Sequence, residues 1–146
     1  MTTKTLNKIL IIDDNEIDQY ITKSVIELAG IGDVTDVESN VSEALYYLQQ
    51  CIDQGNPLPD LLLIDIHMPI LNGWDFLTEY RKFTFDSGKE PVLIMFSSSI
   101  NKNDRKHVVE FTEIAEFIEK PITVEKFQMI VEKHFNASYS PITFVS

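Results

Sequence analysis

"LLLIDIHMPILNGWDF", residues 61–76, places an aspartate directly after four apolar residues and then breaks at Met68-Pro69. A short run that is apolar throughout, rather than alternating, reads as a strand covered on both faces of a sheet. A carboxylate fits at its end only if that end reaches the exposed rim. Asp65 therefore marks an edge, and what matters next is which other residues reach it.

Similar apolar runs stand near Lys8–Ile12, Val92–Phe96 and Ala115–Ile118, with a weaker one near Val34–Glu38. Segments of helical period separate them. The first carries Ile17, Tyr20, Ile21, Val25 and Leu28 as one stripe expected to pack inward, with Gly30 just past its end. The second repeats the pattern with Val41, Ala44, Leu45 and Leu48, and its Asn40 and Glu43 resemble a capping box. A third is expected from Trp74 to before "FDSGKEP", a weaker fourth near Asn103–Thr112, and a fifth over Val124–Phe135 with Thr123 as N-cap. Five strands alternating with five helices imply right-handed βαβ units and a doubly wound parallel α/β sheet. Such sheets work in the crevice outside the carboxyl ends of their strands.

Residues of complementary chemistry follow those ends: Asp13 and Asp14 after the first strand, Asp65 after the third, Ser97 to Ser99 after the fourth, and Lys120-Pro121 after the fifth. Carboxylates a few ångströms apart raise one another's pKa, so such a cluster is costly without a cation. Hard oxygen donors with room for water suit Mg²⁺, whereas His67, His107 and His134 show no zinc-ligand spacing.

The segments "ILIIDDNE" (9–16), "LLLIDIHMPILNGWDF" (61–76), "VLIMFSSS" (92–99) and "FIEKP" (117–121), in this order, resemble the receiver domains of two-component response regulators. The resemblance covers about Lys8 to Phe135 and implies a flavodoxin-like five-stranded sheet of order 2-1-3-4-5. It implies that Asp65 accepts a phosphoryl group from a phosphohistidine on a sensor histidine kinase or histidine phosphotransfer protein. Asp13, Asp14, Asp65 and the backbone carbonyl of His67 would hold Mg²⁺, with Asp13 acting largely through water. Lys120 would pair with the carboxylate at rest and the phosphoryl oxygens afterward. Ser97 would reach the phosphoryl group, with Phe117 as the switch aromatic. The resemblance also implies a cis bond at Lys120-Pro121.

Several residues have plainer readings. Asn15 competes with Asp13 to cap the first helix, Ser98 and Ser99 compete with Ser97, Trp74 reads as packing, and Cys51 as a small buried apolar group. His67 reads as a passive surface histidine, although its position two past Asp65 is one where the family tunes phosphate lifetime. The "CIDQGNPLPD" and "FTFDSGKEP" stretches read as surface connections.

At 146 residues, with 44% hydrophobic and 24% charged residues, the chain reads as one globular domain with a substantial core. A net charge of −11 argues against a general nucleic-acid or anionic-membrane binder. A single cysteine excludes an internal disulfide, and "MTTKTLNK" begins neither a signal peptide nor a spanning helix, so a cytoplasmic protein is expected. Residues 8–135 form the expected domain; the tail 136–146 is too short for an output domain, and fraying is its default despite Ile142, Phe144 and Val145. The expected function is a single-domain signalling module acting through a protein target, not an enzyme. The rival is a Mg²⁺-dependent phosphohydrolase with an aspartyl-phosphate intermediate, but such enzymes commonly place a second acid where His67 stands. No glycine-rich nucleotide loop follows the first strand, where "DDNEID" stands instead.

Overall fold

The computed structural model describes residues 6–86 and 88–135, so the tail beginning at Asn136 lies outside the described residues. Five strands, β1 (Leu6–Ile12), β2 (Gly32–Glu38), β3 (Leu61–Asp65), β4 (Val92–Ser97) and β5 (Ile114–Glu119), alternate with five helices. The helices are α1 (Glu16–Ala29), α2 (Val41–Gln54), α3 (Gly73–Tyr80), α4 (Lys102–Glu110) and α5 (Val124–Phe135). All strand pairings are parallel and the order is β2-β1-β3-β4-β5, the expected flavodoxin-like arrangement.

The period-2 geometry of the central strands divides their side chains between two apolar layers. Leu10, Ile12, Leu62, Ile64 and Met95 meet Val41 and Leu48 of α2 and Phe76 and Leu77 of α3. Ile9, Ile11, Leu61, Leu63 and Phe96 meet Ile26 of α1 and Phe127 and Val131 of α5. Every residue of β3 is buried. Each fully buried aliphatic side chain contributes roughly 1.5–3 kcal/mol, so this strand and its neighbours anchor the sheet.

α1 departs from expectation. Ile17, Tyr20 and Leu28 are more than 70% exposed, while Thr22, Ile26 and Ala29 are buried. The inward face follows the i, i+4, i+7 spacing of those three residues, and Val25 lies beside it, partly buried. The expected stripe has the right period, but of its members Ile17, Tyr20 and Leu28 turn to solvent and Val25 reaches the core. Gly30 closes α1 in the left-handed region, as expected.

The cap of α2 is only half a box: the Asn40 side chain accepts from the Glu43 amide. Reciprocal boxes form instead at Asn72/Asp75 before α3 and Asn101/Asp104 before α4. The Thr123 hydroxyl accepts from Lys126 N at 3.1 Å, as an N-cap of α5 should. Cys51 is buried and free. No helix among the described residues is long and apolar enough to cross a membrane.

Candidate functional site

The register carries charged groups from separate strands to one rim. Asp13 leaves β1 with its amide bonded to Glu38 O at the end of β2. Asp65 pairs with Phe96 across β3 and β4, and Ser97 with Glu119 across β4 and β5. The Lys120 amide then donates to Ser97 O at 2.8 Å, and the Lys120-Pro121 bond is cis. Gly73 lets α3 start against this rim: a Cβ there would lie 3.0 Å from Asp65 O and 2.7 Å from the Met95 methyl.

The carboxylates of Asp13, Asp14 and Asp65 each offer an oxygen within 4.8 Å of the others. Asp13 and Asp65 are buried and Asp14 is exposed. Burial, chiefly, pushes the Asp65 carboxyl up to about 6; the charges of Asp13 and Asp14 add to this, while Lys120 and the His67 amide oppose it. Burial also raises Asp13, against the Asn15 amide and Lys120. Closely set carboxylate oxygens, one open to water, fit a hard, oxygen-seeking cation such as Mg²⁺.

Lys120 supplies the local positive charge. Its Nζ lies 2.9 Å from Asp13 Oδ2, 2.8 Å from Asp18 Oδ2 and 3.5 Å from Asp65 Oδ2. It also lies 4.8 Å from the centroid of the Phe96 ring. Burial alone would lower its pKa, but the hydrogen bonds to Asp18 and Asp13 and the surrounding carboxylates raise it. The ammonium thus rests between Asp13 and Asp18, and its contact with Asp65 is the longest of the three. Asp18 was not among the expected site residues. Its signal is an acidic residue in the first helical turn, one turn beyond Asp14, where such a charge is favourable without any distant partner.

The other expected residues divide. Asn15 rather than Asp13 caps α1, while Asp13 Oδ1 accepts from the Asn15 amide. Ser97 is fully buried and donates to Ser99 O at 2.8 Å, whereas Ser98 and Ser99 are exposed. Phe117 is half-buried, with its ring centroid 6.5 Å from that of Trp74.

His67 is not a passive surface group. Its amide approaches Asp65 Oδ1 at 3.4 Å, and its side chain turns away, with Nε2 at 3.1 Å from Asp104 Oδ2. Trp74 packs as expected, stacked on His107, and its Nε1 donates to Asp104 Oδ1 at 3.1 Å. Burial alone would raise the Asp104 carboxyl, but donation from the Asn101 amide, Trp74 and His67 holds it below the usual carboxylate range. Asp104 went unpredicted, although Asn101-x-x-Asp104 is a legible capping box.

The sequence profile of the response regulator receiver domain matches residues 9–132. The chain is 30% identical over 124 residues to two-component response regulator 24 of Arabidopsis thaliana, covering 85% of this chain and 81% of that one. It is 33% identical over 126 residues to the sensor histidine kinase CheAY of Helicobacter pylori, but spans only 14% of that protein's length. Among solved structures, a two-component response regulator from Cytophaga hutchinsonii superposes with a TM-score of 0.78 at 20% identity, covering 89% of this chain and 97% of the other. At that identity the likeness speaks for the fold alone.

Proposed function

Because the chain belongs to the response regulator receiver domain family, we propose that it is a phosphorylation-controlled signalling module whose phosphoacceptor is Asp65. The observation that carries this reading is the gathering of Asp13, Asp14 and Asp65 around one point, with Lys120 Nζ 3.5 Å from Asp65. The donor would be a phosphohistidine on a sensor histidine kinase or histidine phosphotransfer protein, and the output a change in binding to a protein target.

In the transfer, an oxygen of Asp65 attacks phosphorus, a P–O bond forms, the P–N bond breaks, and its electron pair leaves with the imidazole. Asp13, Asp14, Asp65 and the His67 carbonyl would hold Mg²⁺. When bound, the ion supplies positive charge to the transferring phosphoryl oxygens. The end of β3 fixes the nucleophile, and Lys120 favours its ionised form. Lys120 then shifts from Asp18 toward the new phosphoryl oxygens. The phosphate adds about −1.5 to −2 charge, which gives the Ser97 hydroxyl reason to leave Ser99 O and donate to it. Phe117 follows into the space released, biasing the face built from α4, β5 and α5.

Incubation with a small acyl phosphate and Mg²⁺, read by intact mass, tests this. The protein should gain one phosphate and the Asp65→Asn variant none. Catalytic consumption of the acyl phosphate would instead mark a phosphohydrolase, and no uptake at all would overturn the reading.

A further inference from the structure

Asp104 occupies the same place in α4 that Asp75 occupies in α3: each closes a reciprocal box with an N-cap asparagine. Their surroundings differ. Asp75 is exposed, and its hydrogen bonds to Asn72 stay within its box. Asp104 is 2% exposed, and both of its oxygens reach beyond the box. Oδ1 accepts from Trp74 Nε1 at 3.1 Å, and Oδ2 lies 3.0 Å from the Asn101 amide and 3.1 Å from His67 Nε2.

Capping α4 requires only the Asn101 contact. The other two tie the helix start to α3 through Trp74, and to the segment immediately behind the phosphoacceptor through His67. The His67 side chain is 44% exposed, so solvent was open to it as an alternative partner. Its backbone amide faces Asp65 Oδ1. One residue therefore touches the acceptor carboxylate with its main chain and the first turn of α4 with its ring.

We infer that Asp104 is a positioning residue for the phosphoacceptor loop, acting through the His67 ring, so that this loop and the first turn of α4 shift together. The coupling rests on the phosphoacceptor reading of Asp65. It reaches α4 from His67, and it meets the route through Ser97 and Phe117 at Trp74, whose ring centroid lies 6.5 Å from that of Phe117. A change in charge at Asp65 moves the His67 main chain, the ring carries Asp104 with it, and Trp74 registers the change as the chain's only tryptophan.

The test uses the full chain with an acyl phosphate and Mg²⁺, comparing the unaltered protein with His67→Ala, His67→Gln and Asp104→Asn. Intact mass reads phosphate uptake, hydrogen exchange reads the amides of residues 102–105, and fluorescence reads Trp74. Asp104→Asn keeps the bond from the residue-104 amide to Asn101 Oδ1, so the resting exchange of α4 should stay close to that of the unaltered protein. Uptake should persist, while the phosphate-dependent change in α4 exchange and Trp74 emission falls at least fivefold. In His67→Ala, read per phosphorylated molecule, that change should fall likewise. His67→Gln, which keeps a donor of similar reach and is read in the same way, should restore most of it.

Normal uptake with an undiminished α4 response in Asp104→Asn would reduce Asp104 to a cap and overturn the inference alone. Absence of uptake by the unaltered protein would overturn the phosphoacceptor reading and the inference with it.

Discussion

The two edges of the sheet carry opposite kinds of surface. At the amino edge a cleft of about 810 Å³ opens between the end of α2 with its loop and the loop before β4, reaching Phe135. The space beside Asp18 and Lys120 at the carboxyl edge holds about 200 Å³. Yet Asp86, Lys89 and Glu90 of the larger cleft stand in solvent, while the largely covered Lys120 ammonium beside the smaller one pairs with a fully buried Asp13 and a buried Asp65. Concavity and chemistry are separated here. A cleft of solvated charges can take many shapes without altering reactivity. A rim holding desolvated carboxylates at close range stores repulsion that a cation or a phosphoryl transfer can release.

The sharpest way to break this contrast is to remove the ammonium. Lys120→Met keeps the length of the side chain and leaves Asp13 and Asp65 buried without their cation. In EDTA at pH 8 the variant should lose about 3 kcal/mol in urea unfolding, the scale for breaking a buried ion pair from one side. Mg²⁺ should recover part of the loss.

Acid should recover it too, through Asp65. Its native carboxyl, raised to about 6, binds protons more readily than the ordinary carboxyl at 3.8. Between those values the folded state holds the extra proton, so this group makes stability fall as pH rises through the window. Metal-free protein should therefore gain stability from Asp65 as pH drops from 7 to 5, with a slope approaching about 1.4 kcal/mol per pH unit once pH is below the native value. Asp65→Asn should flatten this part of the profile. A profile unchanged by Asp65→Asn would show that the carboxyl is not strained.

These groups were legible in the sequence because each ends an apolar run, and the parallel sheet forces run ends to one rim. Asp13, Asp14, Asp65 and Lys120 needed no contact information beyond strand order. Asp18 and Asp104 escaped for the converse reason. Both lie in the first turn of a helix, where an acidic residue is favoured without any distant partner. The α1 stripe failed on geometry: Ile17, Tyr20 and Leu28 have helical spacing, but the side that packs is chosen by the sheet, and Thr22 and Ala29 are small enough to sit against it. Helical period fixes that a face exists, not which way it turns.

Asp18 sharpens the contrast from within the site. It holds the Lys120 ammonium at 2.8 Å, closer than Asp65 at 3.5 Å, and adds a negative charge beside the proposed phosphoacceptor site. Asp18→Asn should free the ammonium and speed phosphate uptake from an acyl phosphate roughly fivefold, equivalent to about 1 kcal/mol in the barrier. Intact mass against time measures it. A slower rate would show that Asp18 aims Lys120 rather than competing for it.

The smallest effect belongs to the amino edge, and its smallness carries the argument. Glu90 lines the large cleft and is exposed, so Glu90→Gln removes a charge that water already screens. Surface changes of this kind stay within about 0.5 kcal/mol, and no buried partner is left behind to enlarge the cost. The uptake rate should match that of the unaltered protein. Glu90 and Asp18 are both partly or fully exposed acids bordering a concavity, and each substitution removes one unit of charge. They differ in that Asp18 touches an ammonium shared with two buried carboxylates. Equal effects on uptake would mean that overall charge governs the reaction, and the distinction between the two edges would fall. A rate altered by Asp18→Asn alone would place the control of reactivity in the desolvated rim.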